Sequence, residues 1–75
     1  MFLERGYRFL FFSREEGRVH VHVQSAEGEA KFWIEPRIGL AASRDLSPRE
    51  IRVVERIIRE REHDIRSAWR RHFSG

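Results

Sequence analysis

Six consecutive residues, Val19-His20-Val21-His22-Val23-Gln24, alternate between valine and a polar side chain. Along an extended strand successive side chains point to opposite faces, so this period of two puts three valines on one face and His20, His22 and Gln24 on the other. A helix would smear the same residues around its circumference, and β-branched residues at every second position favour the strand. The chain must therefore build a sheet with one buried face and one face that carries imidazoles. A slip of one residue would turn all three valines into solvent, so the orientation of this strand is strongly fixed.

The neighbouring segments supply its partners. Tyr7 to Ser13 is rich in strand formers, and Arg14-Glu15-Glu16-Gly17 reads as a turn. Ser25-Ala26-Glu27-Gly28 is a second turn, and Glu29 to Ile34 alternates again. Glu35-Pro36 closes that strand, because proline cannot donate to a ladder. Arg37 to Ser43 fits either a short edge strand or a loop. The acidic residues of the two turns are too few for a divalent-cation loop.

From Ser47 the period changes. Ser47, Pro48 and Glu50 form an N-cap, a proline at the first helical position and a capping box. Ile51, Val54, Ile58, Ile65, Ala68 and Trp69 then recur at helical spacing, flanked by Ile57 and Phe73. One continuous helix would run about 39 Å, against roughly 20 Å for six-residue strands. The mismatch favours a break near Arg61 to His63, or a partner for the overhanging end.

Simple antiparallel hairpins through the two turns place Gln24 opposite Glu29, His22 opposite Lys31 and His20 opposite Trp33. The first hairpin, drawn with Ser13 opposite Arg18, places Phe11 opposite His20 and Phe9 opposite His22. Directly opposed residues share a face. Val19, Val21, Val23, Ala30, Phe32, Ile34, Leu10 and Phe12 then form the face that the helical segment covers. Phe9, Phe11, His20, His22, Lys31 and Trp33 form the second face, the candidate binding surface. The expected fold is a single α+β domain: a three- or four-stranded antiparallel meander over residues 1–43, with one or two helices over residues 47–73 packed on one face.

Composition bounds the chemistry. The chain of 75 residues has no cysteine, which excludes disulfides, thiolate metal sites and cysteine nucleophiles and favours the cytoplasm. No apolar run approaches the roughly 20 residues of a membrane span, and the first residues lack the apolar core of a signal peptide. There is no Walker loop, dinucleotide fingerprint or serine-nucleophile context. A chain this short has little interior, so a homodimer or a tightly bound partner is a natural complement.

Three functions suit these residues, two on the candidate face and one on the helical segment. Aromatic rings beside cations form protein-binding surfaces. His20 and His22 with Lys31 have the residue types of a metal-independent ribonuclease, an acid–base pair and a phosphate cation. Two same-face imidazoles would also begin a metal site, but zinc needs a third ligand, and Glu29, Glu35 and His63 have no evident way to supply it. No metal or other cofactor is therefore assigned. The third function uses the helical segment, which holds the whole +3 excess charge. Arg49, Arg52, Arg56, Arg59, Arg66 and Arg70 fall on one stripe that suits RNA or another polyanion, or else a solvated face laced with pairs such as Glu55–Arg59 and Glu62–Arg66.

His20-Val21-His22-Val23 followed by Gly28-Glu29-Ala30-Lys31-Phe32-Trp33-Ile34-Glu35-Pro36 resembles domain-of-unknown-function family 4160. The resemblance continues through Leu46-Ser47-Pro48-Arg49-Glu50, Glu55-Arg56-Ile57, and Ala68-Trp69 to Phe73-Ser74-Gly75. It departs where the family commonly has prolines before the first histidine and where it often has Asn in place of Arg61. The resemblance implies a cytoplasmic bacterial protein whose gene often neighbours that of family 2442, in a toxin–antitoxin-like arrangement. Its expected partner is then a cognate small protein, the product of the neighbouring gene, and no catalytic residue is implied.

Overall fold

A computed structural model describes residues 1–12 and 17–73. The chain runs β1 (Phe2–Glu4), β2 (Tyr7–Leu10), β3 (His20–Gln24), β4 (Glu29–Trp33), β5 (Gly39–Arg44), α1 (Pro48–Glu60) and α2 (Glu62–Phe73). The strands form one antiparallel sheet in the order β1-β2-β3-β4-β5. The architecture is α+β as expected, but with five strands rather than three or four.

β3 and β4 pair in the expected register, with His20 opposite Trp33, His22 opposite Lys31 and Gln24 opposite Glu29. Their turn is closed by Ser25, whose N–H donates to the Gly28 carbonyl at 2.9 Å and whose hydroxyl accepts from the Glu27 and Gly28 N–H groups. The segment left open between strand and loop is the edge strand β5. It carries a bulge: Lys31 faces Ala42 and Phe32 faces Leu40, so Ala41 is the extra residue. Glu35-Pro36, between β4 and β5, is a cis peptide.

β1 was not expected. It joins β2 through Arg5-Gly6, both at positive φ (54° and 82°), the conformation of a two-residue hairpin turn. β2 also differs from expectation by one residue of register: Phe9 faces Val23 and Leu10 faces His22. The shift reverses the strand, so Phe9 points to the helix side and Leu10 to the other. Burial explains the preference. Phe9 is 0% exposed and stacks on Phe2 of β1 with ring centroids 4.6 Å apart, and burying a Phe side chain contributes about 1.5–3 kcal/mol. The chain leaves the ladder after Leu10. Phe11 then turns its ring to Trp69 and Phe73 of α2, at 5.3 and 6.2 Å. The turn expected at Arg14–Gly17 lies mostly outside the described residues.

The capping box forms as the spacing requires. The Glu50 N–H donates to Ser47 Oγ at 3.1 Å, and the Ser47 N–H donates to Glu50 Oε1 at 2.9 Å. Burial pushes the Tyr7 phenol above its ordinary value, and the neighbouring Glu50 and Glu27 carboxylates push it the same way. The helical segment breaks at Arg61, so there are two helices, and the residue at the break is Arg instead of a capping Asn. The Arg61 guanidinium reaches back to Glu4 at 3.0 Å and lies over the Phe2 ring at 4.7 Å, which ties the break to β1. Val54, Ile57, Ile58 and Ile65 close the core against Phe9, Val21, Val23, Phe32 and Ile34.

One glycine is required by packing. A Cβ on Gly28 would lie 2.7 Å from the Asp45 carbonyl carbon and oxygen, where β5 ends against the β3–β4 turn. Gly28→Ala is expected to lower stability by about 1–3 kcal/mol, the usual scale for overpacking. Urea denaturation checks this, and a loss below about 0.5 kcal/mol would mean that the end of β5 is not held where described.

Candidate functional site on the open sheet face

The helices pack on the Val21/Val23/Phe32 side of the sheet. The register puts Leu3, Arg8, Leu10, Gln24, His22, His20, Glu29, Lys31, Trp33, Ala42 and Arg44 on the opposite side. Of the six residues expected to form the binding face, the sheet brings together His20, His22, Lys31 and Trp33. Phe9 and Phe11 belong to the helix side, and Leu10 and Phe12, expected there, take the open side.

Trp33 is the best-defined feature of this face. Its ring lies 4.1 Å from the Arg18 guanidinium carbon and 4.7 Å from Lys31 Nζ. Each such cation–π contact contributes about 0.5–1 kcal/mol at a partly exposed site. Arg18 is held there because its Nε–H also donates to the Glu35 carbonyl at 2.6 Å. Beside this group, Phe12 stacks on His22 with ring centroids 4.0 Å apart. A shallow cleft of about 340 Å³ opens next to them, lined by Phe12, His22, Lys31, Ala42, Ser43 and Arg44, among others.

His20 differs from its neighbours. It is 4% exposed. Its Nδ1 lies 2.7 Å from the Arg18 carbonyl oxygen, and because a carbonyl only accepts, Nδ1 carries the proton. Its ring meets Trp69 of α2 at 5.1 Å, His22 at 5.1 Å and Trp33 at 5.9 Å. The side chain thus joins the open face to the end of α2 and sits beneath the surface. Among the described residues no group of three or more His, Cys, Asp or Glu is placed to hold a metal ion.

The open face is cationic. Among the described residues, Arg8, Arg18, Lys31 and Arg44 stand against one carboxylate, Glu29, which pairs with Arg44 at 2.7 Å. The arginine stripe of the helices is less uniform than its spacing implies. Arg49, Arg52, Arg56, Arg59 and Arg70 are exposed, with Arg59 bound to Glu55 at 2.9 Å and Arg70 donating to Ser67 at 3.3 Å. Arg66 is half-buried and committed: it pairs with Glu62 and Glu35 and donates to the Ile34 carbonyl, tying α2 to the end of β4. Spacing alone also passed over Arg18, Phe12 and Arg44, whose place depends on register and on the ladder beyond the turns.

His20→Ala should therefore destabilise the fold by about 2–4 kcal/mol, as loss of a buried ring does, and His22→Ala by less than about 1 kcal/mol. Paired urea denaturation curves test this. Equal losses would show that the two imidazoles share one environment.

A sequence profile described as a domain of unknown function, DUF4160, matches residues 6–70. No curated protein and no solved structure matches the chain. The chain belongs to the DUF4160 family.

Proposed function

We propose that this DUF4160 domain is a protein-binding module that holds an acidic partner on its open sheet face. The observation that carries the reading is the Arg18–Trp33–Lys31 group, set on a sheet face that the domain's helices cover only at His20, where α2 supplies Trp69. A large aromatic ring flanked by cations has the composition of an interface hot spot. Leu3, 69% exposed on the same face, and Phe12 add apolar area that water solvates poorly. Four cations against one carboxylate among the described residues favour an acidic partner.

The competing readings fit less well. A nucleic-acid surface, the other use of a face of rings and cations, would stack a base on Trp33 and so have to displace Arg18 or Lys31 from the ring. A ribonuclease built on His20 and His22 needs both imidazoles at the substrate, and His20 is buried. A polyanion track along the helices is interrupted at Arg66 by its carboxylate partners.

The cellular setting is part of the same proposal and is suggested by the resemblance to the family. We place the domain in a cytoplasmic bacterial toxin–antitoxin-like or regulatory locus, with the cognate small protein of the neighbouring gene as its partner. Among the described residues no helix is long and apolar enough to cross a membrane.

The test is to co-express the two neighbouring genes, purify the complex, and measure its dissociation constant by calorimetry with the native domain and with Trp33→Ala. The variant should weaken the complex by more than about 1 kcal/mol, roughly fivefold or more. An unchanged constant with a folded variant would contradict the proposal.

A further inference from the structure

The two edges of the sheet are finished differently. β1 is three residues long, and the Arg61 guanidinium lies over Phe2 and binds Glu4. Short edge strands and flanking charges discourage pairing with another chain. β5 is six residues long, Gly39-Leu40-Ala41-Ala42-Ser43-Arg44, and among the described residues it pairs only with β4. It contains no proline and no lysine, and its only charge is at its last position. Its large apolar residue, Leu40, is 44% exposed. Apart from the bulge at Ala41, which interrupts it, such a strand presents a row of backbone donors and acceptors along its outer side.

We propose that β5 is a self-association edge: two copies of this chain pair β5 to β5 about a two-fold axis and continue the sheet from five strands to ten. The sequence of β5 selects the second copy as the occupant. An isologous antiparallel pairing centred between Ala41 and Ala42 sets Gly39 opposite Arg44 of the second copy and Leu40 opposite its Ser43. The two Arg44 side chains then lie at opposite ends of the pair, about 13 Å apart along the strand because the bulge leaves four ladder steps, so like charges do not meet. Small side chains, Ala41 and Ala42, occupy the axis.

The bulge makes the faces agree. In a regular strand Gly39 and Arg44, five positions apart, would point to opposite faces and could not oppose each other in one continuous sheet. The extra residue Ala41 restores the phase. Gly39, Ala42 and Arg44 all lie on the open face, and Leu40 and Ser43 on the helix side. Every opposed pair away from the axis then shares a face. The dimer would bring the two Lys31/Ala42/Arg44 clefts side by side on one surface, so each assembly would present two partner sites.

The chain's size supplies the driving need. A domain of 75 residues without a disulfide has little interior, and association of edges is one of its few routes to more burial. Two six-residue strands bury little area, at the low end of specific interfaces, so the dissociation constant should fall at about 10–100 μM.

Sedimentation equilibrium of the full chain without any partner tests this, carried up to about 500 μM so as to span the expected constant. The native chain should show a reversible monomer–dimer equilibrium, and Ala42→Lys, which sets two ammonium groups near the axis, should weaken it at least tenfold. Because the chain has no cysteine, Arg44→Cys carries a single spin label. Pulsed dipolar spectroscopy should then give one short distance, of about 15–30 Å. A monomer throughout the range would overturn the proposal. So would a dimer that ignores Ala42→Lys in a folded variant, or a dimer without the short label distance. Gly39 of β5 is the ladder partner of Trp33, but self-association uses the outer backbone of β5 and partner binding the Trp33 ring, so Trp33→Ala and Ala42→Lys report on the two separately.

Discussion

The burial of Val21 and Val23 beneath the helices is the constraint on which the rest depends. Both are fully buried against Val54, Ile57, Ile58 and Ile65. The pleat then sends His20 and His22 the other way, and the ladder to β4 carries Lys31 and Trp33 with them. The composition of the open face follows from hydrophobic burial on the closed one. A slip in β3 would cost two valines their burial, on the order of 3 kcal/mol or more, a large fraction of what so short a chain can gain by folding.

Around that strand the two faces are held by different physics. The closed face is aliphatic packing with Phe9, Phe2 and Phe32. The open face is held by cation–π contacts, ring stacking and a few ion pairs, each weak and each near water. His20 and Arg66 join the two regimes. His20 sits between Trp33 on the face and Trp69 on α2, and Arg66 clamps α2 to the end of β4. A partner that moved Trp33 would therefore press on the end of α2 through a single buried ring.

Much of this was legible in the sequence because strong local signals agreed with burial. The Val/His alternation and the Ser25–Gly28 turn set the β3–β4 register, and Ser47, Pro48 and Glu50 marked the start of α1. The failures have equally physical causes. The register of β2 differs from that of a simple hairpin because it is set by Phe9, whose stacking partner Phe2 lies on the unexpected strand β1. That strand is short, and its one strong signal was Gly6 in a left-handed turn. β5 stayed undecided because Gly, Ala and Ser have little strand preference of their own. Its pairing is imposed by β4 and by the close approach of its end to Gly28. Of the candidate face, His20, His22, Lys31 and Trp33 came from alternation alone. Arg18 and Phe12 required the third dimension, since neither lies within a strand.

The central claim is that the Trp33 face is open in the free protein while the Trp69 side is closed. The chain has two tryptophans, one on each side of that division. The direct measurement is the broadening of the two indole N–H resonances by a soluble paramagnetic agent. The account predicts strong broadening at Trp33 and weak broadening at Trp69, which is 9% exposed. A Trp33 resonance as protected as that of Trp69 would mean that the face is already covered, and would contradict the account.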